Sequence, residues 1–166
     1  LLRMSRACRV LAGFGGLATT AAGATLLFVS SQQSEPLQVV VGEWFSLPGQ
    51  MPFTVSLSLI ADHMTAWLIF VVTVVGGLIV LHAATGAPAA ATEWRRLCLL
   101  SGAVSVTVLL LASGDFLQLI VAWQLLAVAV CGLAGEGATD LRRRMAVRKT
   151  AIVLSVGGCG LLIAAC

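Results

Sequence analysis

The chain has 166 residues, of which 59% are hydrophobic and 10% charged, with a mean hydropathy of +1.02 and a formal net charge of +3. Soluble domains carry about 25% charged residues, and a soluble core of this length has no use for so much apolar surface. The composition therefore argues against a soluble domain and predicts an all-α membrane protein, in which lipid replaces water as the solvent.

The first thirty or so residues combine three arginines with a long stretch of apolar and small side chains. "RMSRACRVLAGFGGLATTAAGA" has the order of a signal peptide, basic, then apolar, then small. The apolar run continues through "TLLFVSS", which is longer than a signal core needs and favours a first membrane span at about 10–31. The chain begins with Leu1 and stops inside an apolar run at Cys166, so we expect a chain cut at both ends, or the product of a broken reading frame, with Met4 as a candidate start.

The longest loop, about 32–63, follows this first span. Residues 37–41 and 53–59 are β-branched or alternating, and "FTVSLSL" alternates apolar and polar residues with period two. Between them lies a turn that contains Pro48, Gly49 and Pro52. The loop is therefore predicted to hold a short β-hairpin on the outer side of the membrane.

Four further apolar segments follow, each near the ~20 residues that a helix needs to cross ~30 Å of hydrocarbon. Gly114 marks a tight turn between two of them, and "TGAPAAAT" at 85–92 forms a connector. The sequence therefore predicts about five transmembrane helices in a single membrane domain that spans residues 1–166. The four further spans are predicted at about 64–83, 97–112, 115–134 and 149–166.

The basic residues indicate how these spans are threaded. All ten lie before the first span, between the second and third, or between the fourth and fifth, so alternate threading puts them on one side. The other side receives Glu35, Glu43, Asp62 and Asp115. By the positive-inside rule we expect the N-terminus on the cytoplasmic, or equivalent energised-negative, side of the membrane.

Few residues within the spans are suited to chemistry, and none is an acid at mid-membrane depth. The five cysteines lack metal-site spacing, and His63 and His82 lie near helix ends, where interfacial or packing roles are favoured. The glycines of "VGGLIV" and "VGGCGLL" favour close helix packing. Gln118 and Gln124 lie on different helix faces, and Gln124 taken alone is typical of a helix–helix hydrogen bond. We expect no catalytic residue, no cofactor site and no metal site.

Three segments carry a family resemblance in their order. "EWFSLPGQMPFTVSLSLIADHMTAWLIFVVTVVGGLIVLHA" joins a hairpin to a helix that begins near Asp62 and Thr65. "EWRRLCLLSGAVSVTVLLLASGDFLQLIVAWQLLAV" carries the pair Trp123 and Gln124, and "RKTAIVLSVGGCGLL" begins a further helix near Lys149. In this order, residues 43–166 resemble the N-terminal portion of the antiporter-like membrane subunits (the subunit L, or subunit 5, type) of proton-pumping NADH:quinone oxidoreductase.

The resemblance implies roles for particular positions. In the family a proton-relaying glutamate follows the tryptophan, and it falls on Gln124 beside Trp123, while the acid of a Gly-Asp pair falls on Gly158. The family's lysine and surface acid are retained as Lys149 and Asp62. The resemblance therefore implies proton-path or helix-packing candidates at Gln124, Lys149, Asp62 and Trp123, with the local relay acids replaced.

The implied function is that of a membrane subunit, or truncated paralogue, of a complex I-like enzyme, non-catalytic by itself and part of the proton-translocating arm. Its expected partners are other membrane subunits and the lipid bilayer, with no nucleic acid and no small-molecule cofactor. The same helical pattern fits a subunit of a cation/proton antiporter or an inorganic-carbon transporter of the same superfamily. A third hypothesis is an unrelated small membrane protein that acts as an assembly or scaffold factor.

Overall fold

The computed structural model describes residues 2–32, 35–47, 53–86, 93–135 and 141–165, and this part is mostly helical with a two-stranded antiparallel sheet. A helical chain with a short hairpin is therefore confirmed. The predicted hairpin turn at 48–52 and positions 87–92 of the predicted connector lie outside the described residues. In chain order the elements are α1 Leu2–Gln32, β1 Leu37–Leu47, β2 Phe53–Ala61, α2 His63–Gly86, α3 Glu93–Leu111, α4 Phe116–Gly135 and α5 Leu141–Ala165.

Three helices extend beyond their predicted spans at the ends that carry basic residues. α1 begins at Leu2 rather than near residue 10, α3 at Glu93 rather than near residue 97, and α5 at Leu141 rather than near residue 149. Arginine, leucine and methionine have high helix propensity, so these helices continue from their apolar part into a basic segment without a stop signal. Hydropathy alone therefore predicted these three helices too short.

Two helices within the described residues, over His63–Thr85 and Phe116–Gly135, are long and apolar enough to cross a membrane. The prediction was of five such spans, so the described structure bears it out for α2 and α4. The other three helices carry arginines in their first turns, and α1 is rich in glycine, alanine and threonine. Taken as whole helices, α1, α3 and α5 are therefore less apolar than α2 and α4.

Each pair of successive helices meets at a glycine. A Cβ atom at Gly76 would lie 2.8 Å from Cγ1 of Val104, and one at Gly132 would lie 3.1 Å from Cδ2 of Leu99. Small residues of this kind let helix backbones approach closely, which is typical of membrane helices. The glycines of "VGGLIV" and "VGGCGLL" were predicted to do this, and Gly76 and Gly158 confirm it. The four contacts are Gly23 with Thr73, Gly76 with Val104, Gly132 with Leu99 and Gly158 with Gln124.

Among the described residues alanine is the commonest buried apolar residue, whereas many large aliphatic side chains point outward. Ala66 and Ala122 are fully buried, while Leu78, Val128 and Val153 are 61%, 69% and 70% exposed. In a soluble domain the large aliphatic residues are the ones most often buried. The inverted distribution is typical of helices whose outer surface is solvated by hydrocarbon.

The hairpin is attached to the turn between α3 and α4. The Ile60 N–H donates to the Ala112 carbonyl at 2.9 Å, and the Gly114 N–H donates to the Ser58 carbonyl at 3.0 Å, with a β-bridge between them. The turn therefore lies along β2 as a very short third strand. This attachment fixes the end of α3 and the beginning of α4 at the hairpin end of the bundle.

Strand β1 is irregular. It pairs with β2 in antiparallel register, with β-bulges between Val40 and Gly42 and between Glu43 and Phe45. Bulges bend a strand and increase its twist.

The opposite end of the bundle holds the beginnings of α1, α3 and α5. The exposed basic side chains of the described residues lie there, and they include Arg95, Arg96, Arg144, Arg148 and Lys149.

Candidate functional site

Gln124 lies near the middle of α4, eight residues after Phe116 and eleven before Gly135. At 1.5 Å per residue it is about 12 Å from the hairpin end of the helix and about 16 Å from the other end. Its side-chain amide lies against Gly158 of α5, where a Cβ atom would come within 2.8 Å of Cδ of Gln124. The amide is therefore at mid-length of the bundle, at the interface between α4 and α5.

The contact belongs to a regular antiparallel helix pair. In the same interface Gly135 lies opposite Val147, with a Cβ at Gly135 placed 3.9 Å from Cγ1 of Val147. Gln124 lies eleven residues before Gly135 in α4, and Gly158 lies eleven residues after Val147 in α5. The two positions to which the family resemblance assigns acids are thus direct neighbours, a relation that sequence spacing could not give.

Glycine at position 158 leaves room for the end of the Gln124 side chain. Any side chain at Gly158 would occupy the space of the Gln124 amide, and Gly158 is itself buried. Gly157, by contrast, is exposed and has no atom within 4 Å of the place where its Cβ would lie. The close packing is therefore specific to one of two adjacent glycines.

Trp123, the neighbour of Gln124, is half-buried. Its indole N–H is buried and has no hydrogen-bond partner among the described residues. A buried indole N–H usually finds a partner, so this group can take a hydrogen-bond acceptor that the described residues do not supply. The candidate site therefore contains the Gln124 amide, packed against Gly158, and the Trp123 indole N–H, which has no acceptor among the described residues.

Lys149 is not brought to this site. It is exposed near the beginning of α5, nine residues before Gly158, which corresponds to about 14 Å along the helix axis. Since a lysine side chain does not cover that distance, no direct contact joins Lys149 to Gln124. The two predicted residues lie in the same helix pair at different depths.

Asp62 lies at the hairpin end and caps α2. The Thr65 N–H donates to Oδ1 of Asp62 at 2.6 Å, the geometry of an N-cap. Hydrogen bonds from the Thr65 hydroxyl and backbone N–H lower the pKa of Asp62 below its ordinary value of 3.8. The structural role of the surface acid is thus to hold the first turn of α2 rather than to face Gln124.

Aromatic side chains contact one another along the first two turns of α2, directly after this cap. The Trp67 indole N–H donates to Nε2 of His63 at 3.2 Å, and the rings of Trp67 and Phe70 meet edge to face with centroids 6.1 Å apart. Tryptophan is enriched at membrane–water interfaces. The contact agrees with the interfacial or packing role expected for His63.

Gln118 is the polar residue to which the sequence assigned no role. It is only 3% exposed, and neither its amide nitrogen nor its amide oxygen has a partner among the described residues. The available signal was its spacing from Asp115, since an acid followed three residues later by glutamine is typical of a helix start. That signal explains its position in the first turn of α4 but not its burial.

The two facing segments contain no Asp, Glu, Lys, Arg or His, from 116 to 135 in α4 and from 150 to 165 in α5. An amide donates and accepts hydrogen bonds and can orient water, but it does not titrate. Within the described residues no group of three His, Cys, Asp or Glu side chains is placed to hold a metal ion. The arrangement therefore supports helix packing and polar contacts rather than acid–base chemistry.

No protein-family model matches the chain, and comparison with curated proteins finds no significant match.

Proposed function

We propose that the chain is a membrane subunit, or a truncated paralogue of one, of a complex I-like NADH:quinone oxidoreductase, in the proton-translocating arm. The observation that carries the proposal is the contact between Gln124 and Gly158. These are the positions of two acids in the family pattern, and in this chain they form one mid-depth contact. The amide of Gln124, an exposed side chain, lies in the space that a side chain at position 158 would occupy.

The substitution has a physical reason. A charged side chain at the centre of a membrane helix costs about 3 kcal/mol on insertion scales. Gln124 has the shape of glutamate without its charge, and Gly158 removes the second acid together with its side chain. The proposed role of this chain is accordingly structural and coupling, with local proton transfer weakened or absent.

Membrane insertion of all five helices is part of the proposal. α2 and α4 are apolar enough to insert by themselves. α3 packs against both of them, at Gly76 with Val104 and at Gly132 with Leu99, while α1 packs on α2 and α5 on α4. Antiparallel packing on inserted neighbours supports the same transmembrane placement for the three less apolar helices.

The outer edge of the hairpin supports association with other subunits. Val39, Val40 and Val41 are 53%, 60% and 60% exposed in succession, and within the described residues β1 pairs only with β2. An edge strand with unpaired backbone groups and exposed apolar side chains is a template for another chain. If the proposed function is right, the partner that binds this edge is a neighbouring membrane subunit of the same complex.

The alternative is a subunit of a cation/proton antiporter or an inorganic-carbon transporter. The facing segments 116–135 and 150–165 contain no Asp, Glu, Lys, Arg or His, which keeps the inorganic-carbon branch of this alternative open because transport of inorganic carbon needs no proton relay at Gln124. The two proposals differ in the proteins that accompany the chain, so identification of its partners separates them.

The test is purification of the tagged full chain from membranes of its native host in mild detergent, with partners identified by mass spectrometry. Membrane subunits of an NADH:quinone oxidoreductase are the expected result. Antiporter subunits or a large zinc protein would replace the proposal by its alternative. A monodisperse chain without partners would overturn both.

A matched pair of variants sharpens this experiment. Val40→Lys places a charge on the exposed edge of β1 and is expected to reduce recovery of the partners, since charged edges resist strand addition. Gln38→Lys adds the same charge to this strand without removing an exposed valine, and is expected to reduce recovery less.

A further inference from the structure

A half-enclosed cavity of about 440 Å³ lies between α1, α2 and α3 beneath the hairpin. The three helices and both strands of the hairpin contribute to its wall, and its large side chains include Leu26, Leu59, Ile69 and Val108. This volume falls within the range of roughly 300–1,000 Å³ that is usual for small-molecule sites. Protein interiors are otherwise close-packed, so a space of this size calls for an occupant.

The lining indicates the chemistry of that occupant. No charged side chain lines the cavity, and its polar groups are the hydroxyls of Thr19, Thr73 and Ser105. The Thr73 hydroxyl donates to the Phe70 carbonyl at 2.9 Å, and the Ser105 hydroxyl donates to the Ser101 carbonyl at 2.9 Å. Because these donors are used within their own helices, the wall offers little to a polar ligand, and apolar cavities do not hold water.

The depth of the cavity agrees with a hydrocarbon chain. His63 and Trp67, at the hairpin end of α2, lie where tryptophan marks the headgroup region of a membrane protein. Thr73, on the cavity wall, is six residues further along α2, or about 9 Å deeper. A lipid with its headgroup at the level of Trp67 would therefore have its acyl chain at the level of the cavity.

We propose that this cavity binds one acyl chain of a phospholipid from the surrounding bilayer, with the headgroup beside the hairpin. The proposal rests on the membrane location included in the proposed function, and not on kinship with the oxidoreductase. The bound acyl chain fills the space among α1, α2 and α3 and packs against both the hairpin and the helices.

The test uses native mass spectrometry of the full chain, purified in mild detergent and equilibrated with palmitoyl-oleoyl phosphatidylcholine. One phospholipid is expected to remain bound at activation energies that remove loosely attached lipid. Val108→Phe fills part of the cavity and is expected to lower retention by about tenfold. Val106→Phe, two positions earlier on α3 and not on the cavity wall, should retain the lipid like the wild type.

Further arms decide what is recognised. Phosphatidylglycerol should be retained as well as phosphatidylcholine, because the contacts are with hydrocarbon. If Val108→Phe does not fold, Ala61→Leu fills the cavity from β2 instead. Equal loss in both valine variants, no retained lipid, retention that depends on the headgroup, or a retained isoprenoid compound in place of phospholipid would each overturn the proposal.

A labelling experiment separates this proposal from the membrane location. In a background without native cysteines, Arg96→Cys and Gln38→Cys are expected to react from opposite faces of the membrane. Failure of that result would overturn the membrane location and with it the proposed function. Opposite-face labelling without retained lipid would overturn the cavity proposal alone.

Discussion

At its beginning α4 follows a turn that is hydrogen-bonded to β2, whereas at mid-length it meets α5 through Gln124 and Gly158. The first attachment consists of backbone groups, the Gly114 N–H to the Ser58 carbonyl and the Ile60 N–H to the Ala112 carbonyl. The second consists of an amide side chain in the space left by a missing Cβ. One helix is thus held by directional bonds at one point and by shape at another.

The difference shows how each attachment responds to sequence change. Backbone hydrogen bonds survive most substitutions of the residues that make them, provided that the strands can still approach. Both attachments also involve a glycine, but a Cβ at Gly158 meets only the movable end of the Gln124 side chain, whereas one at Gly114 would lie 3.0 Å from the Ser58 carbonyl oxygen. We therefore expect the hairpin attachment to be the more sensitive of the two to substitution of its glycine.

Gly158→Leu should disturb the contact between α4 and α5. The added side chain must displace the movable amide of Gln124, so the chain should lose about 1 kcal/mol of stability, measured as a lower Tm in detergent. Gly157→Leu is the matched control, since nothing lies within 4 Å of its Cβ position. Equal loss of stability in both variants would contradict the assigned contact.

Gln124→Glu tests whether shape or charge decides the same contact. The ionised carboxylate should destabilise the chain by about 2.5 kcal/mol at mid-depth, while its protonated form fits as the amide does. Infrared difference spectroscopy should show a new carboxyl signal that changes with pH. The absence of such a signal would remove the main support for regarding this position as a former relay site.

Gly114→Val should break the attachment at the hairpin. A Cβ atom at Gly114 would lie 2.9 Å from Cγ1 of Ile60 and 3.0 Å from the Ser58 carbonyl oxygen. A loss of about 2 kcal/mol is expected, with faster amide exchange at Ile60. Gly42→Val, in β1 with nothing within 4 Å, should show neither effect. Unchanged exchange at Ile60 in Gly114→Val would refute the attachment.

The smallest effect concerns the cap of α2 at the same end. The pKa of Asp62 in the folded chain lies below 3.8, so its ionised carboxylate stabilises the fold. This stabilisation is present above pH 3.8 and is lost as the pH falls through the folded-state pKa. Asp62→Asn keeps a capping oxygen and should flatten this part of the Tm–pH curve, whereas Asp62→Ala should also lower the plateau. Identical curves for wild type and Asp62→Asn would count against the cap.

The hairpin and the helices could be predicted because they depend on local patterns. The alternation in "FTVSLSL" predicted β2, and the apolar runs predicted all five helices. The attachment of the α3–α4 turn to β2 could not be predicted, since it uses backbone groups that every residue possesses. The early starts of α1, α3 and α5 were missed because hydropathy does not report helix propensity in basic segments.

The candidate site was predictable in part. The sequence drew attention to Gln124, and the resemblance placed a lost acid at Gly158, but their contact depends on the register of α4 against α5, which tertiary packing decides. Lys149 and Asp62 were grouped with Gln124 by resemblance, and the fold separates them along the bundle. The burial of Gln118 likewise depends on neighbours from other elements.

The two bulges in β1 limit what its exposed edge can do. A visiting strand that pairs along Val39–Val41 meets a break in register at the first bulge and another between Glu43 and Phe45. The ladder cannot continue past such points without realignment, so any added strand is short. This end of the molecule therefore favours a finite assembly of defined stoichiometry over open-ended stacking of copies into fibres.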